Sequence, residues 1–476
     1  MKIKYPMKRL ILLLILYAVV YGMNVTGQTA EHAGWADAKQ LLDNLKDPVF
    51  SDKVYNVIDF GAKGDGRTKN TAAINAAIIK CSSVGGGHVV VSRGDYLTGA
   101  IHLKSNVDLH IEANAILRFS TDPGDYLPLV RTRWEGDDCY NFSPLIYADG
   151  QTNFAVTGKG ILNGQGSLTD WWPWKGSKAY GWTKGMRSQL DPACRPLLKK
   201  YNDTQVPVEK RQMGVGYYLR PQFISFIHCK NFKIEDVTMV NSPFWVIHPL
   251  LSENVIIRGV TVSSEGPNND GCDPESCKNV LIENCTFNTG DDCIALKSGR
   301  DFDGRRENVA IENVIVRNCK MRKGHGGVSM GSEISGGCGN IFVENCEMSS
   351  PELDRAILIK TNNNRGGTTD GVYVRNVKVG EVSDAILSIN CSYHINTEGQ
   401  GKFPPMIKNV FLTNVTSNKS DFAVSLDGIA GMICVDNVRV ENCVFNGVKE
   451  KNQIQHIGKV VLKNVVINGE VVNLGE

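Results

Sequence analysis

The stretch NVLIENC, residues 279–285, alternates apolar and polar side chains between two asparagines. Residues two apart share one face of a strand, so the segment predicts a short, half-buried strand rather than a helix. The same phrase returns as NFKIEDV at 231, NVIIRGV at 254, NVAIENV at 308 and NIFVENC at 340. It continues as GVYVRNV at 371, NVFLTNV at 409, NVRVENC at 437 and KVVLKNV at 459. Successive starts lie 22 to 38 residues apart. One such unit cannot bury its own apolar face, but stacked copies can, so the series predicts a solenoid. A regular leucine framework is missing, and second strands such as VTVSS and CTFNTG follow after a turn. These features predict an all-β fold: a right-handed, single-stranded parallel β-helix whose variable spacing reflects loops that protrude from each rung.

Aligning the copies stacks Asn284, Asn313, Asn345, Asn376, Asn414, Asn442 and Asn464. Stacked asparagines suit a repeated turn, because their side chains hydrogen-bond backbone groups. The adjoining column reads Cys285, Val314, Cys346, Val377, Val415, Cys443 and Val465, so these cysteines read as small buried hydrophobes. Cys139, Cys194, Cys272, Cys277, Cys293 and Cys338 fall nearer loops and are candidates for disulfides. Their spacing supports no zinc site.

The chain of 476 residues carries 52 Lys and Arg against 50 Asp and Glu. That balance argues against nucleic acid or a membrane surface as a partner. Basic residues Lys2, Lys4, Lys8 and Arg9 precede an apolar run from Leu10 to Val20, then small and polar residues. This layout predicts a secretory signal over residues 1–28 and a secreted or periplasmic protein with no membrane span in the mature chain. Residues 29–54 form an N-terminal extension with a short helix around DAKQLLDNL; residues 55–476 form the β-helix domain, interrupted by a long insertion at 121–223. Five of the seven tryptophans lie in that insertion, either packing it onto the solenoid or stacking on sugar rings.

Polar residues collect where four successive rungs follow one another. GPNNDGCDPES holds Asn268, Asp270 and Asp273; GDDCIALKSG holds Asp291, Asp292 and Lys297. RKGHGGVSMGSE holds Lys323 and His325, and RAILIKTNNNRGG holds Arg355, Lys360 and Arg365. Neighbouring rungs lie about 4.8 Å apart, so these side chains can converge on one outer face. Clustered carboxylates suit glycoside hydrolysis: one keeps a proton for the leaving oxygen, and another stays ionised to activate water. The three aspartates do not follow calcium-loop spacing, and no metal or other cofactor is expected. Lys297, Lys323, Arg300 and Lys360 instead suggest recognition of an anion, such as an acidic sugar.

These residues carry a resemblance. NND with Gly271 and Asp273, GDD at 290–292, GHG at 324–326 and Ile359-Lys360 resemble, in order, the motifs of polygalacturonase-like glycoside hydrolases (family 28). The opening NVIDFGAKGDG is similar to the start of pectin-active β-helix proteins, the pectin-lyase-like solenoids. The resemblance implies an enzyme that hydrolyses α-1,4-linked galacturonic acid with inversion. Asp291 is then the general acid, Asp270 and Asp292 hold the water, and His325 supports the acid. Asn268, Lys360 and Tyr393 contact an acidic pectic polysaccharide or oligosaccharide, with Lys297, Arg355 and Arg365 as further substrate-binding candidates. Leu358 stands where the family has arginine. That departure keeps open a rhamnogalacturonan hydrolase or an enzyme for another pectic side structure, with a non-catalytic polysaccharide-binding β-helix as the alternative outside enzymes. A walled groove would favour exo action.

Overall fold

A computed structural model of the protein describes residues 28–393 and 401–475. Apart from Gln28, the expected signal segment lies outside them. Each rung contributes up to three short strands, as in Lys278–Glu283, Thr286–Thr289 and Ile294–Leu296. Strands pair in parallel with their equivalents one rung away: Lys278–Glu283 lies between Glu253–Arg258 and Ile311–Arg317. Three parallel faces result, which bears out the β-helix. Alternate side chains from each face fill one continuous core, with Val255, Val280, Val314, Ile341 and Val372 stacked in register.

The asparagine columns have a backbone cause. Asn254, Asn279, Asn313 and Asn340 all adopt φ between 54° and 57°. A left-handed conformation costs most L-residues about 1–2 kcal/mol, and asparagine tolerates it best after glycine. Their amides form a ladder, Asn279 donating to Asn254 at 3.0 Å, Asn313 to Asn279 at 3.2 Å and Asn340 to Asn313 at 3.0 Å. The ladder corrects the register of one copy. The phrase at 308 was aligned five residues early: Asn313, not Asn308, begins that strand's repeat, and Asn318 and Cys319 complete the columns placed at Asn313 and Val314. Asn308 is also left-handed, but as the C-cap of the helix Asp301–Glu307. Two asparagines with one backbone role lie five positions apart, and the sequence pattern does not separate them.

The insertion at 121–223 also differs from expectation, because a full rung runs through it. Ile146–Asp149, Thr152–Gly158 and Ile161–Asn163 pair in parallel with the rungs before and after. Two excursions flank this rung. The first carries an antiparallel hairpin, Val130–Trp134 with Asp137–Asn141; the second carries the helix Arg195–Asp203. Trp134 stacks on Phe244 with ring centroids 5.0 Å apart, and Trp171, Trp172 and Trp174 pack against the main core. Packing therefore accounts for these four. All fourteen cysteines are buried free thiols, so the disulfides expected near loops are not formed: Cys272, Cys277, Cys293 and Cys338 pack in the main core and Cys139 in the cluster around Trp134.

The N-terminal helix spans Gln28–Asn44. Ala38 and Leu41 meet a column of outward-facing side chains, Leu281, Ile315, Phe342 and Tyr373. The next stretch follows the same face, where Asp47 pairs with Arg258 at 2.9 Å and Lys233 at 3.1 Å. The helix Thr71–Ser83 buries Ile74, Ala77, Ile78 and Cys81 against the core near the first rungs.

Candidate active site

The candidate site stands on the third face, the one built by Ile247–Leu250, Ile294–Leu296, the end of Lys320–Gly331 and Leu353–Lys360. Backbone hydrogen bonds between rungs set its register. Gly271 N–H donates to Asp292 C=O at 2.9 Å, Cys293 N–H to Gly326 C=O at 2.8 Å, and His325 N–H to Asp291 C=O at 3.2 Å. Asp270, Asp291, Asp292 and His325, which span 56 positions of sequence, thereby become neighbours on adjacent rungs. Glycines on either side of His325 leave room for this approach. A Cβ on Gly324 would sit 2.5 Å from the Asp291 carbonyl oxygen, and one on Gly326 would sit 2.1 Å from Ser329 Oγ.

Three aspartate oxygens, one each from Asp270, Asp291 and Asp292, lie within 4.8 Å of one another. Such a cluster needs positive charge, and two buried lysines supply it. Lys360 Nζ donates to Asp292 Oδ2 at 2.7 Å, while Ser329 Oγ donates to Asp292 Oδ1 at 2.9 Å. Lys297 Nζ stands 3.6 Å from Asp270, 3.6 Å from Asp273 and 3.4 Å from Glu333, over the Trp245 ring. A cation at the cluster would compete with these ammonium groups. Lys297, a substrate-binding candidate from the sequence, lines the pocket while its ion pairs hold it to these carboxylates.

Asp291 accepts from its neighbour's backbone N–H at 3.0 Å, and its Oδ1 faces His325 Nδ1 at 3.1 Å. Asn268 Nδ2 reaches the other oxygen at 3.5 Å, and Asn268 Oδ1 in turn accepts from Lys175 at 2.7 Å and Arg220 at 3.0 Å. The proton distribution differs from the sequence expectation. Burial, then the charge of Asp291, pushes Asp270 up to about 8. Burial also raises Asp291, but the His325 hydrogen bond and the nearby cations outweigh it and hold Asp291 below the usual carboxylate range. His325 is lifted to about 9 by the same bond, against the opposing effect of burial. Burial raises both Asp270 and its neighbour Asp273, so the site's buried carboxylic proton lies with these two rather than with Asp291, and a further proton waits on His325. Adjacent charges in a sequence reveal repulsion but not which carboxyl is buried deepest.

The aspartates stand where a small pocket meets a larger groove. The cavity encloses about 130 Å³, with Asp270, Asp291, Asp292, Lys297, Lys360 and Tyr393 along its walls. Glu135, Arg195, Trp245, Arg300 and Glu333 also line it. These five were not singled out as the cavity's wall from sequence, although Arg300 was an anion-recognition candidate; Glu135 and Arg195 come from the two excursions. Arg195 pairs with Glu135 at 2.7 Å and Arg300 with Glu333 at 2.8 Å. Behind them Arg133 joins Asp138 at 2.8 Å to Glu275 at 3.3 Å, and Arg211 pairs with Asp303 at 2.5 Å. The wall is therefore fastened to the rungs by buried ion pairs. The groove, about 410 Å³, continues toward later rungs past His325, Arg355, Leu358, Lys360 and Tyr393. Lys360 Nζ lies 5.3 Å from the Tyr393 ring centre, where groove and cavity meet. Arg365 does not join the site, since Asp301 holds it at 2.7 Å. Lys323 pairs with Glu265 at 2.7 Å and Glu352 at 2.9 Å near the surface.

Comparison with known proteins agrees with this geometry. Residues 212–463, more than half of the chain, match the family model described as Glycosyl hydrolases family 28. The chain belongs to glycosyl hydrolases family 28. Residues 54–118 also match a model described as Rhamnogalacturonase A/epimerase, pectate lyase-like. The family 28 chain is 40% identical to a solved hyperthermoactive exopolygalacturonase from Thermotoga maritima, with a TM-score of 0.88 over 92% of this chain and 97% of that one. It is 28% identical to a probable polygalacturonase of Vitis vinifera, covering 84% of this chain and 77% of the relative. An exopolygalacturonase of Zea mays is 24% identical over 93% of both chains.

Proposed function

We propose that this family 28 enzyme removes single galacturonate units from the end of α-1,4-linked galacturonic acid chains, by direct attack of water with inversion. The observation that supports the reading is a small pocket of about 130 Å³, lined by the three aspartates and by residues of the two excursions, that adjoins a groove of about 410 Å³ at Lys360 and Tyr393. A cavity of that size suits one sugar, and the groove suits the chain behind it. Similarity to exopolygalacturonases supports the same conclusion.

The roles follow from the bonding. The His325 imidazolium passes its proton to Asp291 across the 3.1 Å contact, Asp291 delivers it to the leaving oxygen, and Asp292 takes a proton from the attacking water. Both oxygens of Asp292 are already engaged, by Ser329 and Lys360, which suits orienting a water better than attacking carbon. Asp270 Oδ1 is buried with no hydrogen-bond partner among the described residues, and a water at the cluster supplies one. The oxygens lie closer, within 4.8 Å, than the roughly 6.5–9.5 Å usual between acid and base of inverting enzymes. The third carboxylate accounts for the difference, because the water is held between Asp270 and Asp292 beside the acid. Lys360 and Tyr393 border the sugar's carboxylate. Export of the chain, expected from its first residues, fits a polymer substrate outside the cell.

Proton NMR during hydrolysis of trigalacturonate tests the chemistry. Inversion predicts free β-galacturonate as the first product, before mutarotation. First-formed α-galacturonate would point to a covalent intermediate and overturn this part of the reading.

A further inference from the structure

The stretch DWWPWKG, residues 170–176, packs three tryptophans against the core and ends beside the aspartates. Trp171 is buried at φ 61°, where a bulky L-residue is rarely found, so the turn is held against its own backbone preference. Trp171 meets Trp174 edge-on with ring centroids 5.1 Å apart, and Trp172 Nε1 donates to the Ser242 carbonyl at 2.9 Å. A Cβ on Gly266 would stand 2.3 Å from the Trp172 ring, so this indole lies directly on the loop that leads to Asp270. The helical turn Trp172–Lys175 is thereby pinned to that loop. From its end Lys175 Nζ donates to Asn268 Oδ1 at 2.7 Å. Buried Arg220 donates to the same oxygen at 3.0 Å and is itself held by the Pro243 and Pro267 carbonyls. An ammonium and a guanidinium can only donate, so the atom between them is the amide oxygen. The amide nitrogen is turned the other way, toward Asp291 Oδ2, 3.5 Å away. Asn268 takes φ 53°, a backbone that asparagine tolerates better than most L-residues.

We infer that Lys175 is a positioning residue for the acid: it locks the Asn268 amide so that its N–H end, rather than its C=O end, faces Asp291. This rests on the reading of Asp291 as the group that protonates the leaving oxygen. At 3.5 Å the contact is long for a hydrogen bond, and its effect is that of a fixed dipole with the positive end toward a carboxylate. With the amide reversed, carbonyl lone pairs would face Asp291. The carboxyl would then hold its proton more tightly and yield it more slowly to the leaving oxygen. The charge of Lys175 acts in the same direction, since the carboxylates that it reaches are Glu135 and Asp291. The tryptophan-rich stretch thus serves the reaction through the one side chain at its end.

The test is a double-mutant cycle on trigalacturonate with Lys175→Met and Asn268→Gly, glycine being free to keep the left-handed backbone. Arg220 stays in place, so Lys175→Met should lower kcat by only about three- to tenfold, with KM changed less than about twofold. In the Asn268→Gly background the same change should lose most of its effect. The alkaline limb of kcat should move to higher pH in Lys175→Met and return in Lys175→Arg, whose charge reaches the same oxygen. The other charges that face the Asp291–His325 pair, Asp270, Asp292, Lys297, Lys360 and Asp354, are the same in every variant. Lys175→Gln, which keeps a neutral donor, should fall between wild type and Lys175→Met, and carries the cycle if the methionine variant unfolds. The His325 imidazole, titrated in isotope-labelled protein without substrate, should follow the limb. An equal loss of kcat in both backgrounds, or a His325 titration that does not move, would overturn the inference. A wild-type enzyme that releases no galacturonate would instead overturn the proposed function, and the His325 titration would still decide the role of Lys175.

Discussion

The smallest scale of the account is one proton among three carboxylates. Asp291→Asn removes the proposed acid while keeping its shape, so kcat should fall by about 10²–10⁴ with an unchanged melting temperature. Asp270 makes a stability prediction. Its folded value, about 8, lies above the ordinary carboxyl value of 3.8, because burial disfavours its charge. Between these values the folded state holds a proton that the unfolded state has lost, so this contribution to stability is lost as pH rises from about 4 to about 8. Asp270→Asn has no charge to bury, so it should melt a few degrees above wild type at pH 9, yet be inactive; a lower melting point at that pH would contradict the assignment. His325 sets the alkaline limit. Its value of about 9 keeps it protonated through neutral pH, so activity should decline as pH passes 8 to 9. His325→Gln should lower kcat and shift that limb. Asp270, Asp291, Asp292, His325 and Lys360 were legible as candidates because short polar stretches interrupt the apolar pattern on four successive rungs and match, in order, the family's motifs. The locus of the proton was not, because it depends on burial and on the His325 contact.

At the scale of elements, the repeated strand was legible because every copy must turn the same alternate residues inward. Register was legible only where one asparagine could take the left-handed turn, and it slipped where Asn308 and Asn313 both do. Asn313 carries the ladder, so Asn313→Ala should cost about 1–2 kcal/mol, seen as a lower denaturation midpoint, and Asn313→Gly less. The helix Gln28–Asn44 was partly visible, but its docking was not: its partners Leu281, Ile315, Phe342 and Tyr373 come from four rungs. Beside them Arg258, Glu283 and Arg317 form an ion ladder with contacts of 2.7 and 2.6 Å. These pairs are part-exposed and contribute little each, so apolar contact dominates the docking. Removing residues 1–45 should lower the melting temperature by several degrees and leave KM unchanged, because the helix lies against the first face and the site on the third. A changed KM with an unchanged melting point would place the helix in the wrong role.

At the scale of the whole molecule, the solenoid supplies a ruler and the two excursions supply an end stop. Their function was hardest to read in sequence, since Glu135 and Arg195 lie more than 70 residues before the aspartates they wall in and belong to no repeat. What fastens them is equally remote: Arg211 meets Asp303 in full burial. Arg211→Ala removes two buried charged hydrogen bonds but leaves Asp303 with Arg306 at 2.9 Å, so it should cost about 1.5–3 kcal/mol in denaturant unfolding. The fourteen buried thiols make the fold independent of disulfides, so reductant should not change its melting temperature. The central claim is that the pocket at the aspartates takes one terminal sugar. Hexagalacturonate labelled at its reducing end tests this directly, sampled early in hydrolysis. The account predicts labelled pentamer first, then tetramer, with galacturonate the only unlabelled product. Early labelled dimer or trimer, with unlabelled oligomers beside it, would mean that chains thread past the wall, and would contradict it.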